Sequence, residues 1–278
     1  MQYVAPADLD TALDVLSSGT WVVVAGGTDF YPARVGRPLL EPVIDISRIE
    51  ELRGVTVTDD TYRIGALTSW ARIRDSSLPP VFDGLRLAAR EVGAVQVQNA
   101  GTVGGNLCNA SPAADGIPPL LTLDASVELT SVNGTRSVAV EDFLTGYRQT
   151  DLRPGELLTA VTVPRMAEES FSDYQKLGSR TYLVISIVMV ASVIALGDGV
   201  ISDARVAVGS CSPVAQRLRR LEEALRGHSV EDNLGSLVEP AHISVLSPID
   251  DVRAPAWYRL EAAQKLIQRS LRNCQVTM

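Results

Sequence analysis

The sequence predicts an α+β protein made of three consecutive units, and three observations carry that prediction. Short β-branched runs are joined by turn signals at Asp59-Asp60, Asn133-Gly134 and Gly197-Asp198-Gly199, a pattern of hairpins and largely antiparallel sheet. Helical stretches with apolar residues at i, i+3 and i+4 are interspersed among these runs. The pattern also changes near Gly54 and again across the polar, irregular stretch 164–169, which divides the chain into 1–54, 55–165 and 170–278. At 278 residues and 46% hydrophobic, the chain is long enough for two domains or three small ones.

In the first unit, Asp8 is placed to cap a helix whose apolar positions are Leu9, Ala12, Leu13 and Leu16, with Gly19 as its stop. Trp21-Val22-Val23-Val24 reads as a buried strand that runs directly into Ala25-Gly26-Gly27-Thr28-Asp29. A strand followed by a glycine turn gathers free N–H groups at the strand end, and the Thr28 hydroxyl adds a donor, a layout suited to phosphate. A glycine pair after a strand also serves plain turns, and the run lacks both the Gly-x-Gly-x-x-Gly spacing and a Walker lysine. A second strand covers 42–46, and 49–52 leads to the first boundary.

The second unit opens with strands at 55–58 and 62–64. A helix begins near Ser69, with Trp70, Ile73 and Leu78 inward, and another spans 81–92, with Leu85, Ala88, Ala89 and Val92 on one face. Strands at 127–130 and 137–140 flank Asn133-Gly134, a short helix covers 141–144, and a strand covers 157–163. The third unit has strands at 174–177, 183–196 and 200–209. Ser212-Pro213 then starts a helix with Leu218, Leu221 and Leu225 inward, closed by Gly227, and its charges, including the arginine cluster, read as a solvated face. The last helix runs over 255–273 with Trp257, Leu260, Ala263, Ile267 and Leu271 buried.

The stretch 99–115 is the centre of this organisation. It consists of small residues with Val103, Leu107 and Pro112 interspersed, and reads as a long ordered loop. Such a loop either turns tightly or lets main-chain N–H groups approach something bulky and anionic, because a Cβ would hold that ligand away. It contains no acid–base pair. The two histidines, His228 and His242, are remote from it in sequence, which argues against histidine-dependent acid–base catalysis.

Composition excludes several classes. The net charge is −8 and the basic residues are scattered except for Arg217, Arg219 and Arg220, so no nucleic acid partner is expected. Cys108, Cys211 and Cys274 are odd in number, far apart and without Cys-x-x-Cys spacing, which argues against a disulfide framework, a zinc site or an iron–sulfur cluster held by this chain alone. Cys108 itself reads as a small buried hydrophobe. A reducing cytoplasm fits, and the first residues lack the pattern of a secretory signal. The apolar run 182–196 is too short to cross a bilayer and reads as buried strand.

Taken together, Ala25-Gly26-Gly27-Thr28-Asp29, Thr102-Val103-Gly104-Gly105-Asn106 and the tail Ala110-Ser111-Pro112-Ala113-Ala114-Asp115 resemble the paired signature of the FAD-binding subunit of molybdenum hydroxylases, the xanthine dehydrogenase and carbon monoxide dehydrogenase family. Lys176-Leu177-Gly178-Ser179-Arg180 and Asp251-Val252-Arg253 through Tyr258-Arg259 resemble its C-terminal domain, so the resemblance covers nearly the whole chain. It implies a two-subdomain FAD-binding domain, a small α/β part plus a largely antiparallel α+β part, followed by a domain of three antiparallel strands with helices. It also implies a role in which FAD takes electrons from two [2Fe-2S] clusters on a small subunit, fed by a molybdenum-pterin centre on a large subunit, and passes them to NAD or another acceptor.

Carried over by position, the resemblance implies that Val23, Val24, Ala25, Gly26, Gly27, Thr28, Asp29 and Phe30, with Thr102, Val103, Gly104, Gly105 and Asn106, hold the FAD pyrophosphate and ribityl chain. Asp115, Leu158 and Lys176 are further cofactor positions, and Leu107 or Cys108 would lie near the isoalloxazine. Carbon-monoxide-type members have His-Ser where this chain has Thr28-Asp29, which favours the xanthine-dehydrogenase-like branch. Leu183 stands where several flavin subunits have an Asp near the ring. Without the resemblance, Asp115 reads equally as a cap for the element that follows, Lys176 as a solvated strand lysine, and Tyr182 as packing or as a shield for the flavin. A non-redox assembly module of the same fold and a free-standing FAD oxidase are the competing functions.

Overall fold

The computed structural model describes residues 2–181 and 183–277, and it contains three sheets of more than two strands. The first is small and parallel. β1 (Tyr3–Val4) and β2 (Val22–Val24) flank β3 (Val43–Asp45), and α1 (Leu9–Ser17) connects β1 to β2. Asp8 caps α1 as its residue type predicts, with Oδ1 accepting from Thr11 N at 2.8 Å, and Ala12, Leu13 and Leu16 bury the expected stripe against Ile44, Ile49 and Leu52. β2 departs from the expected buried strand. Only Val24 is fully buried and Val23 is 36% exposed, because three valines in an edge strand of a small sheet cannot all face its core.

The second sheet is antiparallel, in the order β4 (Val55–Val57), β5 (Thr61–Gly65), β10 (Leu157–Pro164), β6 (Ser126–Ser131), β7 (Gly134–Ala139). Between β5 and β6 the chain forms α2 (Trp70–Arg74), capped by Ser69, then α3 (Asp83–Glu91), α4 (Val95–Ala100), α5 (Val103–Asn109) and α6 (Ile117–Thr122). α7 (Val140–Phe143) and the β8 (Leu144–Gly146)–β9 (Gln149–Thr150) pair follow β7. α3 is shorter than expected because Pro80–Phe82 forms a 3-10 turn ahead of it. Trp70, Ile73, Phe82, Leu85, Leu107 and Leu158 belong to one core under this sheet.

The third sheet is antiparallel, in the order β11 (Ser170–Leu177), β12 (Val188–Gly197), β13 (Val200–Gly209), β14 (Gln216–Arg217), and α8 (Arg219–Leu225) and α9 (Ala256–Thr277) pack on one face. The other face meets the second unit: Met189, Ala191 and Tyr174 pack on Ala88 of α3, and Val193 and Ala207 join the core under the second sheet. Burial on both faces explains why the middle of the 182–196 run has no polar alternation. No helix among the described residues is long and apolar enough to cross a membrane.

Four expectations for this unit are corrected. β12 starts at Val188 rather than 183: Leu183 has φ +51° and is 56% exposed, and Ile185 is exposed as well. The helix assigned to Ser212-Pro213 starts at Arg219, because the Ser212 hydroxyl donates to Cys211 O and the chain first forms β14 against β13. The arginine cluster is not one solvated face, since Arg217 is buried and forks onto Glu222, with Nε 2.5 Å from Oε1 and Nη2 2.9 Å from Oε2. Trp257 lies in the first turn of α9, beyond the reach of the sheet, and is 62% exposed with its ring edge-on to Tyr258.

Candidate functional site

The chain leaves the small sheet at Val24, whose carbonyl accepts from Ile46 N at 2.9 Å. From there it turns through residues 25–31, closed by hydrogen bonds from Tyr31 N to Gly27 O (3.2 Å) and from Ala33 N to Asp29 O (3.1 Å). The backbone N–H groups of Gly26, Gly27, Thr28, Asp29 and Phe30 donate to no acceptor among the described residues. Consecutive free N–H groups at a strand end form a concavity for an anion. Behind them, Arg34 stacks on the Phe30 ring at 4.0 Å and its Nη1 donates to Phe30 O.

The second motif is built differently from the expected loop. Residues 103–109 are helix α5, with Thr102 as N-cap and its Oγ1 accepting from Gly105 N at 3.0 Å. Val103 N donates to Thr68 O and Gly104 N to Ala66 O, while Asn106 N donates to Thr102 O. The N–H groups of 103–106 are therefore consumed within the protein, and the free donors belong to the first motif. The glycines serve contact between backbones. A Cβ on Gly104 would lie 2.8 Å from Ala66 Cβ, and one on Gly26 would lie 1.8 Å from Ala100 O. Thr28 Oγ1 lies beside Gly101 as well, so the start of the first motif is seated on the segment leading into the second.

What the second motif offers a ligand is Asn106, whose Oδ1 is buried without a partner. The run of free N–H groups suits a diphosphate, and the orphaned amide oxygen, which lies beside Gly116, is an acceptor for a ligand hydroxyl. Leu107 is buried in the core, whereas Cys108, the next residue of the helix and so turned away from it, is exposed, contrary to its reading as a buried hydrophobe.

Asp115 follows α5 and does not cap α6; its carboxylate is the hub of a buried network. Oδ1 accepts from the Tyr174 hydroxyl at 2.8 Å and the Ser186 hydroxyl at 2.7 Å, and Oδ2 pairs with Lys176 Nζ at 2.9 Å. Lys176 is not a solvated lysine: its side chain is 5% exposed and Nζ also donates to Glu91 O at 3.0 Å. Burial, together with the Asp115 carboxylate, holds the Tyr174 hydroxyl well above its usual pKa, so it remains a donor. Burial also raises the Glu91 carboxyl, against the opposing effect of Lys176.

The structure thus joins the two glycine motifs to each other and Asp115 to Lys176. Leu158 shares the core cluster of Val103 and Leu107, with its side chain buried at a β-bulge between β10 and β6. Tyr182 lies outside the described residues. Sequence reasoning missed Tyr174 and Ser186. Tyr174 was accessible through strand periodicity, since it stands two residues from Lys176 on the same face of β11; Ser186 had no local signal.

Residues 1–166 match the family model described as FAD binding domain in molybdopterin dehydrogenase, and residues 173–274 match the CO dehydrogenase flavoprotein C-terminal domain. The nicotinate dehydrogenase FAD-subunit of Eubacterium barkeri is 30% identical over 96% of this chain and 94% of that protein. The nicotine 6-hydroxylase medium subunit of Paenarthrobacter nicotinovorans is 31% identical over 98% and 96%. Among solved structures, a carbon monoxide dehydrogenase from Hydrogenophaga pseudoflava superimposes with a TM-score of 0.89 at 28% identity, covering 99% of this chain and 97% of that one. With an N-terminal cradle suited to a diphosphate and both family models matched in order, this chain belongs to the FAD-binding medium subunits of the molybdenum hydroxylase family, of the xanthine and carbon monoxide dehydrogenase type, and is an oxidoreductase subunit.

Proposed function

We propose that this chain relays electrons within a heteromeric complex: from [2Fe-2S] clusters on a small subunit, themselves fed by a molybdenum-pterin centre on a large subunit, through FAD to NAD or another acceptor. The observation that carries this reading is the row of free N–H groups from Gly26 to Phe30, packed against the segment that leads into α5. When bound, FAD supplies the redox chemistry, and the protein supplies position and electrostatics. In this reading the turn after β2 grips the pyrophosphate with its main chain and the Thr28 hydroxyl, and Asn106 accepts from a ligand hydroxyl. Val103, Gly104 and Gly105 act as the seat that keeps both motifs in register. Asp115 and Lys176 line the flavin end, where the third unit closes over the second. The division into 1–54, 55–165 and 170–278 belongs to the same reading, with the cleft between the first two units, and a reducing cytoplasm suits the three free cysteines.

The test is made on the purified chain and on the complex assembled with its two partners. The chain is expected to be yellow and to bind FAD non-covalently, and its flavin is expected to be reduced by substrate only when both partners are present. A colourless chain that takes up no added FAD would refute cofactor binding. Flavin reduced by substrate at the same rate without the iron–sulfur subunit would refute the relay and favour a free-standing oxidase.

A further inference from the structure

We propose that Ser186 and Tyr174 are positioning residues for the flavin site: they fix the Asp115 carboxylate so that the Lys176 ammonium is presented to the FAD cleft, and an Asp251–Arg253–Arg259 clamp holds Ser186 in place. The proposal rests on the reading that Asp115 and Lys176 face FAD.

An ammonium has three donors. Glu91 O and Asp115 Oδ2 take two of those on Lys176, and the third has no acceptor among the described residues, in a side chain that is almost fully buried. A buried donor of this kind needs an acceptor, and a ligand oxygen or nitrogen would supply it. Where that donor points depends on Asp115, because the lysine stem is flexible and Glu91 O is its one other anchor among the described residues. The carboxylate in turn rotates about a broad, two-fold torsion unless its oxygens are occupied unequally. Tyr174 and Ser186 do this by both donating to Oδ1, which leaves Oδ2 for Lys176.

Tyr174 is held by β11, but Ser186 lies in the segment between β11 and β12, outside the ladder. Its backbone is held from the segment that leads into α9 and from the first turn of α9. Arg253 Nη1 donates to Ser186 O at 2.8 Å, and Arg259 Nη1 donates to Ile187 O at 2.7 Å and Ser210 O at 3.1 Å. Asp251 ties the two guanidinium groups together, 2.5 Å from Arg253 Nη2 and 2.6 Å from Arg259 Nη2. Arg259 is fully buried, whereas Asp251 and Arg253 are partly exposed, so the clamp reaches from the interior to the surface. The Asp251-Val252-Arg253 and Arg259 positions, which the sequence associates with the C-terminal domain without a role, thereby reach the flavin end through one serine.

A fixed cation beside the cleft favours the electron-rich reduced form of a bound flavin. The experiment measures the midpoint potential and FAD dissociation constant of the full chain for Lys176→Met, Ser186→Ala, Tyr174→Phe, Arg253→Ala and the Lys176→Met/Ser186→Ala double variant. Lys176→Met is expected to lower the potential and weaken FAD binding roughly tenfold, the equivalent of one charge-assisted hydrogen bond. Ser186→Ala, Tyr174→Phe and Arg253→Ala are expected to lower the potential by less, and Ser186→Ala to add nothing once Lys176 is gone. If Ser186→Ala and Tyr174→Phe reduce only thermal stability and leave the potential unchanged, the positioning role is overturned. If Lys176→Met leaves potential and affinity at the wild-type values, the underlying reading that Lys176 faces the flavin is what fails.

Discussion

Replacing Gly26 with alanine tests how the two glycine motifs depend on one another. The new Cβ would lie 1.8 Å from Ala100 O and 2.6 Å from Ala100 C, both backbone atoms that cannot rotate away. Reaching the 3.4 Å of ordinary van der Waals contact with the carbonyl oxygen requires the two segments to part by about 1.6 Å. Overpacking costs about 1–3 kcal/mol in stability, and a clash between two backbones belongs at the upper end. For a chain of this size, that corresponds to a fall in Tm of roughly 2–4 °C for each kcal/mol. The functional loss is larger, because the free N–H groups begin at Gly26 itself: a displacement of this size takes N–H···O contacts out of range, and each contact to an anion contributes about 1.5–3 kcal/mol. FAD affinity should fall at least tenfold. Fluorescence titration of FAD into the apo chain, with thermal melts, measures both effects. Gly19→Ala, whose Cβ would have no neighbour closer than 4.0 Å, is the control. If Gly26→Ala matches Gly19→Ala in both affinity and Tm, the packing argument is wrong.

Two further outcomes follow from buried charge. Glu222→Ala leaves the Arg217 guanidinium with Asp124 and Leu121 O alone and strips Val206 N of its acceptor, so it should destabilise the chain by about 3–5 kcal/mol in chemical denaturation, while Arg217→Met/Glu222→Leu should recover most of that loss; a double variant no better than the single one would contradict this. Hydrogen bonds from Arg253 hold the Asp251 carboxyl well below its ordinary 3.8, against the opposing effect of burial. A depressed folded pKa contributes stability that is present above about pH 4 and is lost as pH falls through the folded value. Asp251→Asn should therefore be less stable than wild type at neutral pH, with the gap narrowing in acid, and a gap independent of pH would argue against the linkage.

Features made by local hydrogen bonding and periodicity are legible in the sequence. The caps at Asp8 and Ser69, the hairpin turns at Asp59-Asp60 and Asn133-Gly134, and the inward stripe of α1 follow from residues within a few positions of one another. α5 was not legible, because glycine and asparagine are poor helix formers. Burial of Val103 and Leu107, and the bonds from 103 and 104 to Thr68 and Ala66, hold it in place. The apolar run before β12 is not legible, because an exposed turn and a buried strand can share one composition, and the turn is held by distant partners: Arg253, Arg259 and Asp115. Arg217 is similar: its burial depends on Glu222 one turn into α8 and on Asp124 across the interface with the second unit.

The sequence by itself determined the fold class, the main strands of the second and third units and, through the resemblance carried by the two glycine motifs and the Ser-Pro-Ala-Ala-Asp tail, the family and its cofactor. Only the tertiary structure decided which backbone donors of those motifs are left free. The free N–H groups lie in the first motif and those of the second are consumed, because a backbone donor is available only where no other part of the chain comes close enough to accept from it.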